Sequence, residues 1–319
     1  MVNKMVSVSA VLPAYNAERW VGRAIESVLQ QTVKPTEILV IDDGSEDGTP
    51  RAAQQYGAVR YLRQPNAGPS AARNRGIAQA RSEWIAFLDA DDEWLPHKTE
   101  LQWRILERNP DLRWCGSASG DAGEEGASSP GPREGTGPES VPEERLPFFG
   151  ALLRHEIRIG TPGMIIHRSV FDQVGTFDPE LRSGEDIDLW CRIALSYPQI
   201  GFCFDPCWRR YQDNPCSASR KGRVRRDRAV DSFCKNMRRA LELGPEAVSE
   251  FRPYARKKVL DNLLREAARD CLISSEISNE VKRVFPLRMY ERALLRILRL
   301  LPQPLAVRIV AKLRDRVTL

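Results

Sequence analysis

In the N-terminal third of the chain, apolar residues fall into short, nearly unbroken runs, and helical spacing fills the gaps between them. Val6–Leu12 predicts a buried strand, broken by Pro13-Ala14-Tyr15-Asn16. Across Glu18–Gln31, Trp20, Val21, Ala24, Ile25, Val28 and Leu29 recur on one helical face. Glu37–Ile41 predicts a second strand, ended by Asp42-Asp43-Gly44-Ser45. Thr49–Gln55 predicts a helix and Val59–Leu62 a third strand. Gly68–Ala80 reads as a helix with Pro69 near its start, where a lost N–H costs nothing. Trp84–Leu88 is the fourth strand. The order β-α-β-α-β-α-β predicts a mostly parallel central sheet flanked by helices on both faces, an α/β fold.

Further on, Asp92–Asn109 reads as a helix and Arg113–Ser117 as a short strand. Ser119–Glu144 is rich in Gly, Ser, Pro and Glu and reads as a mobile loop, either a lid or an inert insertion. Phe148–Leu153 and Val170–Val174 read as short helices, and Met164–His167 and Gly201–Phe204 as strands. Gly184–Tyr197 reads as a helix entered through acidic residues. From about Asp227 the pattern is helical and basic.

Composition narrows the class. The chain has 319 residues, 42% hydrophobic and 29% charged, which suits a globular protein with an ample core. The net charge of +5 is unevenly placed. Residues 121–144 are acidic and 219–319 strongly basic, which hints at a surface that meets anions. Seven Cys without a C-x-x-C pair, and no signal-peptide pattern, point to free thiols in a reducing cytosol. Cys203, Cys207 and Cys216 are spaced poorly for a zinc site and lack an obvious fourth ligand. No apolar run reaches about 18 uncharged residues, so no transmembrane helix is expected. His97, His155 and His167 fall in no metal-ligand spacing and read as structural or exposed.

The chemistry sits at the strand ends. Tyr15-Asn16, Asp42-Asp43 and Asp89-Ala90-Asp91 each follow an apolar run, and parallel strands bring such ends to one crevice. Carboxylates there suit a hard divalent cation, which in turn holds phosphate. Gly44, Gly48 and Gly68 leave the adjacent backbone free to turn or to approach a ligand. Neither G-x-G-x-x-G nor a P-loop is present, which disfavours a dinucleotide dehydrogenase or a P-loop enzyme. Glu185-Asp186 opens a predicted helix, either for catalysis or to complement the helix dipole.

These segments resemble the family-2 glycosyltransferases. The resemblance rests on Val11-Leu12-Pro13-Ala14-Tyr15-Asn16, Val40-Ile41-Asp42-Asp43-Gly44-Ser45, Asn66-Ala67-Gly68-Pro69-Ser70-Ala71-Ala72-Arg73-Asn74, Phe87-Leu88-Asp89-Ala90-Asp91-Asp92 and Gly184-Glu185-Asp186-Ile187-Asp188-Leu189-Trp190. It implies a glycosyltransferase-A (Rossmann-like) fold, a nucleotide-diphosphate-sugar donor, most simply a UDP-sugar, a divalent cation (Mn²⁺ or Mg²⁺), and inversion at the anomeric carbon. By that resemblance Pro13, Tyr15 and Asn16 line the nucleoside pocket, Asp43 accepts from the base, and Arg73 reaches the base or diphosphate. Asp89 touches the ribose, Asp91 holds the metal, and Asp186 is the general base with Glu185 beside it. Residues 1–218 form the catalytic domain, with 119–145 a flexible loop, and 219–319 a basic helical region. Thr161-Pro162-Gly163-Met164 is either a simple turn or part of the acceptor side. Many relatives carry an Arg-x-His element whose His completes the metal shell; Trp208-Arg209-Arg210-Tyr211 puts Tyr211 there instead, and a neutral phenol is a poor ligand.

The basic C-terminal third carries a second question. Arg220–Arg228 reads as a solvated face or as a grip on an anion. Residues 288–316 form two basic amphipathic patterns separated by Pro302 and Pro304. They suit a membrane interface, packing on the catalytic domain, or a homodimer contact. Nucleic-acid binding is not expected, for want of interleaved aromatics or a binding motif. The resemblance leads to an expected transfer of sugar to a hydroxyl of a glycan or lipid-linked acceptor, in surface polysaccharide or glycan assembly, in the cytoplasm or peripherally at the inner membrane face. The rivals are an inactive nucleotide-sugar-binding scaffold of the same fold and a nucleotidyltransferase, the latter disfavoured because Pro13–Arg19 lacks a Gly-rich basic phosphate loop.

Overall fold

The computed structural model describes residues 7–121, 145–181, 183–211, 227–268, 281 and 283–285. The chain divides into two compact units, 1–222 and 223–319.

The first unit is built on a sheet of nine strands among the described residues. Its N-terminal part alternates as expected: β1 (Val8–Ala14), α1 (Val21–Leu29), β2 (Glu37–Asp42), α2 (Thr49–Gln54), β3 (Val59–Arg63), α3 (Pro69–Gln79) and β4 (Trp84–Phe87). The strands order as β3-β2-β1-β4, all parallel. Covering both faces makes β1 and β4 apolar nearly throughout. Val8, Ala10, Leu12 and Ala14 share a cluster with Val21, Ala24, Ile25 and Val28 of α1. Val11, on the opposite pleat, meets Gly76 of α3. The helices therefore lie on opposite faces, as the period-two alternation of side chains requires.

Beyond β4 the sheet is mixed. β5 (Glu93–Trp94), α4 (Lys98–Arg108), β6 (Trp114–Asp121), β7 (Arg145–Pro147), α5 (Phe148–Leu153), a 3₁₀ turn (Thr161–Gly163), β8 (Ile165–His167), α6 (Arg168–Val174), α7 (Glu185–Ser196) and β9 (Gln199–Arg210) complete the unit. β8 is antiparallel to both β4 and β6, and β9 runs parallel to β6 and antiparallel to β5 and β7.

Several expectations change here. The helix predicted from Asp92 starts at Lys98, because Glu93 and Trp94 pair with Arg209 and Trp208 as a strand. β9 continues through Arg210 instead of ending at Phe204, across an irregular register opposite Ser117–Ser119. Ser119–Asp121 and Arg145 belong to strands, and the rest of the predicted 119–145 loop lies outside the described residues. The 288–316 helices, Cys216 and most of the 220–228 basic run also lie outside them.

In the second unit α8 (Asp227–Leu243) and α9 (Pro245–Ala268) are joined at Gly244, whose φ of 112° suits glycine. Phe233 packs edge-on against Tyr254, with ring centroids 6.2 Å apart. No described helix is long and apolar enough to cross a membrane.

The close approach of α3 to β1 is a stability test. A Cβ at Gly76 would lie 2.2 Å from Val11 Cγ1. Helix propensity favours Ala by about 1 kcal/mol, but overpacking costs about 1–3 kcal/mol. Gly76→Ala is therefore expected to lower the denaturant midpoint despite sitting in a helix, measurable by urea unfolding.

Candidate functional site

The order β3-β2-β1-β4 reverses direction between β1 and β4, and ligands of open α/β sheets bind at the carboxyl ends beside such a switch point. The segments after β1, β2 and β4 meet at this edge.

β1 runs on through the Pro13-Ala14 expected to break it, with Pro13 half-buried and paired with Ile41, whereas Tyr15 just beyond the strand is 36% exposed. Asn16 takes a left-handed φ of 47°, which asparagine tolerates better than most residues. Its Oδ1 accepts from the Glu46 N–H at 2.9 Å, and its own N–H donates to Ser45 Oγ at 3.0 Å. The Asn16 side chain thus staples two loops together.

After β2 the two aspartates diverge. Asp42 is buried and accepts from the Tyr61 hydroxyl and from the Ser45 N–H, at 2.8 Å for the latter. Asp43 accepts from Gln64 Nε2 at 2.7 Å, the Ala67 N–H at 2.9 Å and the Gly68 N–H at 2.8 Å. A carboxylate offers about four lone-pair sites. Asp43 first shapes the loop leading to α3 and keeps little acceptor capacity beyond it.

α3 carries Arg73 into the crevice. Pro69 at its first turn and Gly68 at φ 91° let the chain enter the helix sharply. The Arg73 guanidinium is buried and donates to Asp89 Oδ1 at 2.7 Å and Glu185 Oε1 at 3.2 Å. Burial opposes its charge, but Asp89 and Glu185 outweigh burial and hold it protonated more firmly than usual. Asn74 next to it exchanges hydrogen bonds with the Phe177 backbone at 2.8 and 2.9 Å, and the Phe177 ring lies 5.3 Å from the guanidinium.

α7 opens with Glu185, Asp186 and Asp188, where carboxylates complement the helix dipole. Glu185 is engaged by Arg73 and Asp188 by Arg192 at 2.9 Å. Asp186 accepts from the Ile187 N–H at 2.7 Å. Desolvation raises both the Glu185 and the Asp186 carboxyls above their usual range.

The turn after β4 holds Asp89, Asp91 and the buried Asp92. Burial, and then the charges of Asp89 and Asp91, push the Asp92 carboxyl well above the ordinary carboxylate range. This excess of negative field and the hard oxygens of Asp89 and Asp91 fit a divalent cation. Among the described residues no three ligating side chains cluster, so such an ion would depend on diphosphate oxygens and water to fill its shell.

Sequence reasoning missed several residues around this turn. Trp94 donates its indole N–H to the carbonyls of Pro162 at 3.0 Å and Phe87 at 3.3 Å. The Gly163 carbonyl accepts from Gln102 at 2.7 Å, so the 161–163 segment is a buried turn that braces the sheet. Lys98 is fully buried, 4.2 Å from the Trp94 ring, and burial pushes its amine down to about 8. Its neighbours include Cys203 and Cys207, whose sulfurs are 3.6 Å apart. His167 stacks edge-on against Trp84, a structural role as expected.

The family model described as glycosyl transferase family 2 matches residues 9–175, just over half of the 319. The chain belongs to glycosyl transferase family 2. An uncharacterized glycosyltransferase of Rickettsia felis is 35% identical over 194 residues, covering 59% of this chain and 30% of that protein. One of Rickettsia prowazekii is 32% identical over 190 residues, 58% of each chain. This chain thus spans well under two thirds of the length of these curated relatives. Among solved structures, S. aureus TarS 1-349 in complex with UDP-GlcNAc superposes with a TM-score of 0.69 at 16% identity, covering 98% of this chain and 92% of that one. A mannosyltransferase of Pyrobaculum calidifontis in complex with GDP-Man and Mn²⁺ gives a TM-score of 0.55 at 15% identity, covering 93% and 85%. At such identities the likeness establishes the glycosyltransferase-A fold.

The buried guanidinium sets an expectation. Arg73→Leu strands two carboxylates. Breaking a fully buried pair costs about 3–5 kcal/mol. The Asp89 side chain keeps 26% exposure, so a loss of about 2–3 kcal/mol is expected for this variant, measurable by chemical denaturation.

Proposed function

We propose that this family-2 chain is an inverting glycosyltransferase that moves a sugar from a nucleotide diphosphate to an acceptor hydroxyl. The carrying observation is the Arg73 bridge, which sets the donor-side Asp89 and the Glu185-Asp186 pair of α7 around one guanidinium. TarS has been seen with UDP and with UDP-GlcNAc, which supports a UDP-sugar as the donor class. On this reading Pro13 and Tyr15 line the nucleoside pocket, and Asn16 and Asp43 hold its loops, Asp43 with its remaining lone pair toward the base. Asp89 meets the ribose and Arg73 fixes Asp89. Asp91 would hold the divalent cation, Mn²⁺ or Mg²⁺, which when bound supplies Lewis-acid neutralisation of the departing diphosphate.

Asp186 is the base. The acceptor oxygen bonds to the anomeric carbon, the bond to the nucleoside diphosphate breaks, and the hydroxyl proton passes to the Asp186 carboxylate. Attack opposite the leaving group inverts the centre. Of the three acids on the first turn of α7, Glu185 and Asp188 are taken up by arginines. The acceptor we infer is a glycan or lipid-linked hydroxyl in surface polysaccharide assembly at the cytoplasmic membrane face, with residues 1–218 as the catalytic domain.

Calorimetric titration with UDP, GDP, TDP and CDP, each with and without Mn²⁺, tests the donor site. One nucleotide is expected to bind only with metal, and Asp91→Ala to weaken it at least about tenfold. Metal-independent or absent binding sinks the assignment and leaves the inactive scaffold. Asp186→Asn is expected to keep nucleotide binding and lose at least about a hundredfold in transfer rate. The ionised carboxylate is the active form and its pKa is raised, so kcat/KM falls as pH drops through a value above the ordinary ~3.9. An acid limb at or below that ordinary value argues against Asp186.

A further inference from the structure

The Asp91 turn is gripped from two sides by residues that the reaction itself does not use. On α1 and the turn after it, Arg23, Ser27 and Gln31 recur every four residues and so share one helical stripe. Each bonds to backbone of the turn, of the strand after it, or of the residue that follows that strand. Arg23 Nη2 donates to the Asp91 carbonyl at 2.7 Å, Ser27 Oγ accepts from the Trp94 N–H at 3.1 Å, and Gln31 Nε2 donates to the Leu95 carbonyl at 2.8 Å. From the other side, the Tyr211 N–H donates to Asp92 Oδ1 at 3.2 Å, and the Tyr211 hydroxyl donates to Glu93 Oε2 at 2.6 Å. The two sides meet where the Arg23 guanidinium lies 3.6 Å from the centroid of the Tyr211 ring.

We propose that Arg23 and Tyr211 are positioning residues that pin the Asp91 turn from both sides, so that the Asp91 carboxylate is held in one orientation. The ring supplies a cation–π face that keeps the guanidinium aimed at the Asp91 carbonyl. The Tyr211 hydroxyl ties that ring to Glu93, in the strand that follows. Neither side chain touches a reacting atom. A turn that carries three neighbouring carboxylates repels itself, and the Arg23 guanidinium sets a positive charge against its backbone at the Asp91 carbonyl. This inference rests on the reading that Asp91 meets the donor diphosphate through a divalent cation.

The test compares wild type with Tyr211→Phe, Tyr211→Leu and Arg23→Lys. Each is titrated with Mn²⁺ at fixed UDP, GDP, TDP or CDP, and hydrogen–deuterium exchange is followed in peptides spanning 89–95. Tyr211→Leu removes the ring and is expected to raise the half-saturating Mn²⁺ concentration about tenfold and to speed exchange in that segment, with little change at high Mn²⁺. Tyr211→Phe keeps the stacked face and is expected to stay within about threefold of wild type. A folded Tyr211→Leu with wild-type Mn²⁺ requirement and wild-type exchange overturns the proposal. Should that variant not fold, Arg23→Lys decides by the same two readouts, since lysine keeps the charge but not the planar stack. Wild type that binds every nucleotide without metal overturns the donor reading, and the positioning role falls with it.

Discussion

The site depends on one buried cation. Taking a guanidinium out of water costs several kcal/mol, recovered only where carboxylates and packing replace the lost solvent. Arg73 finds both: Asp89 and Glu185 at its nitrogens and Phe177 across its face. The two acids come from segments 16 and 112 residues away in sequence. A single side chain thus couples the turn after β4 to the first turn of α7. Its placement in turn requires the Gly76 approach to Val11, because a helix held farther from the sheet would carry the guanidinium away from both carboxylates. Asn74, hydrogen-bonded in both directions to Phe177, fixes the same helix to the segment that precedes α7.

Around that cation the acids divide their work by environment. Asp42 and Asp43 sit at the end of β2 with most of their capacity spent on loop backbone, tyrosine and glutamine. Charge-assisted bonds to backbone N–H groups are among the stronger neutral-partner contacts, which is how a loop rich in glycine keeps one shape. Asp92 is buried among like charges and favours its neutral form. Asp91 and Asp186 stay partly exposed at the crevice. Identical residue types thus become loop anchors, buried acids or partly exposed crevice carboxylates through burial and neighbours alone.

Much of this was legible in the sequence, and for stated physical reasons. Strands covered on both faces must be apolar throughout, so β1, β2 and β4 announced themselves, and the acids after them marked the crevice. The second half of the sheet was harder to read. β9 carries Asp205 and Pro206 at an irregular register, which looks like a loop end, and only its pairing with β6 reveals a strand. Glu93-Trp94 is too short to show a period and was absorbed into the following helix. The Arg23, Ser27 and Gln31 positions recur at four-residue spacing beside the apolar face of α1, but that spacing alone does not say which backbone they bond. Lys98 beside Cys203 and Cys207 left no trace, since the contacts join segments about a hundred residues apart.

The bridge also explains why the proposed proton acceptor is Asp186 and not its neighbour. A base must hold a proton well enough to draw it from a hydroxyl, and a directly paired arginine lowers that affinity. Of the two neighbouring acids on α7, Arg73 bonds Glu185, at 3.2 Å, and acts on Asp186 through space. Desolvation prevails at both carboxyls and raises the proton affinity of each, so what sets Asp186 apart is that Arg73 takes up the Glu185 carboxylate. If the arginine faced Asp186 instead, the pair would be more stable and the base weaker. The fold thus places the stabilising ion pair one residue away from the carboxylate proposed as the base.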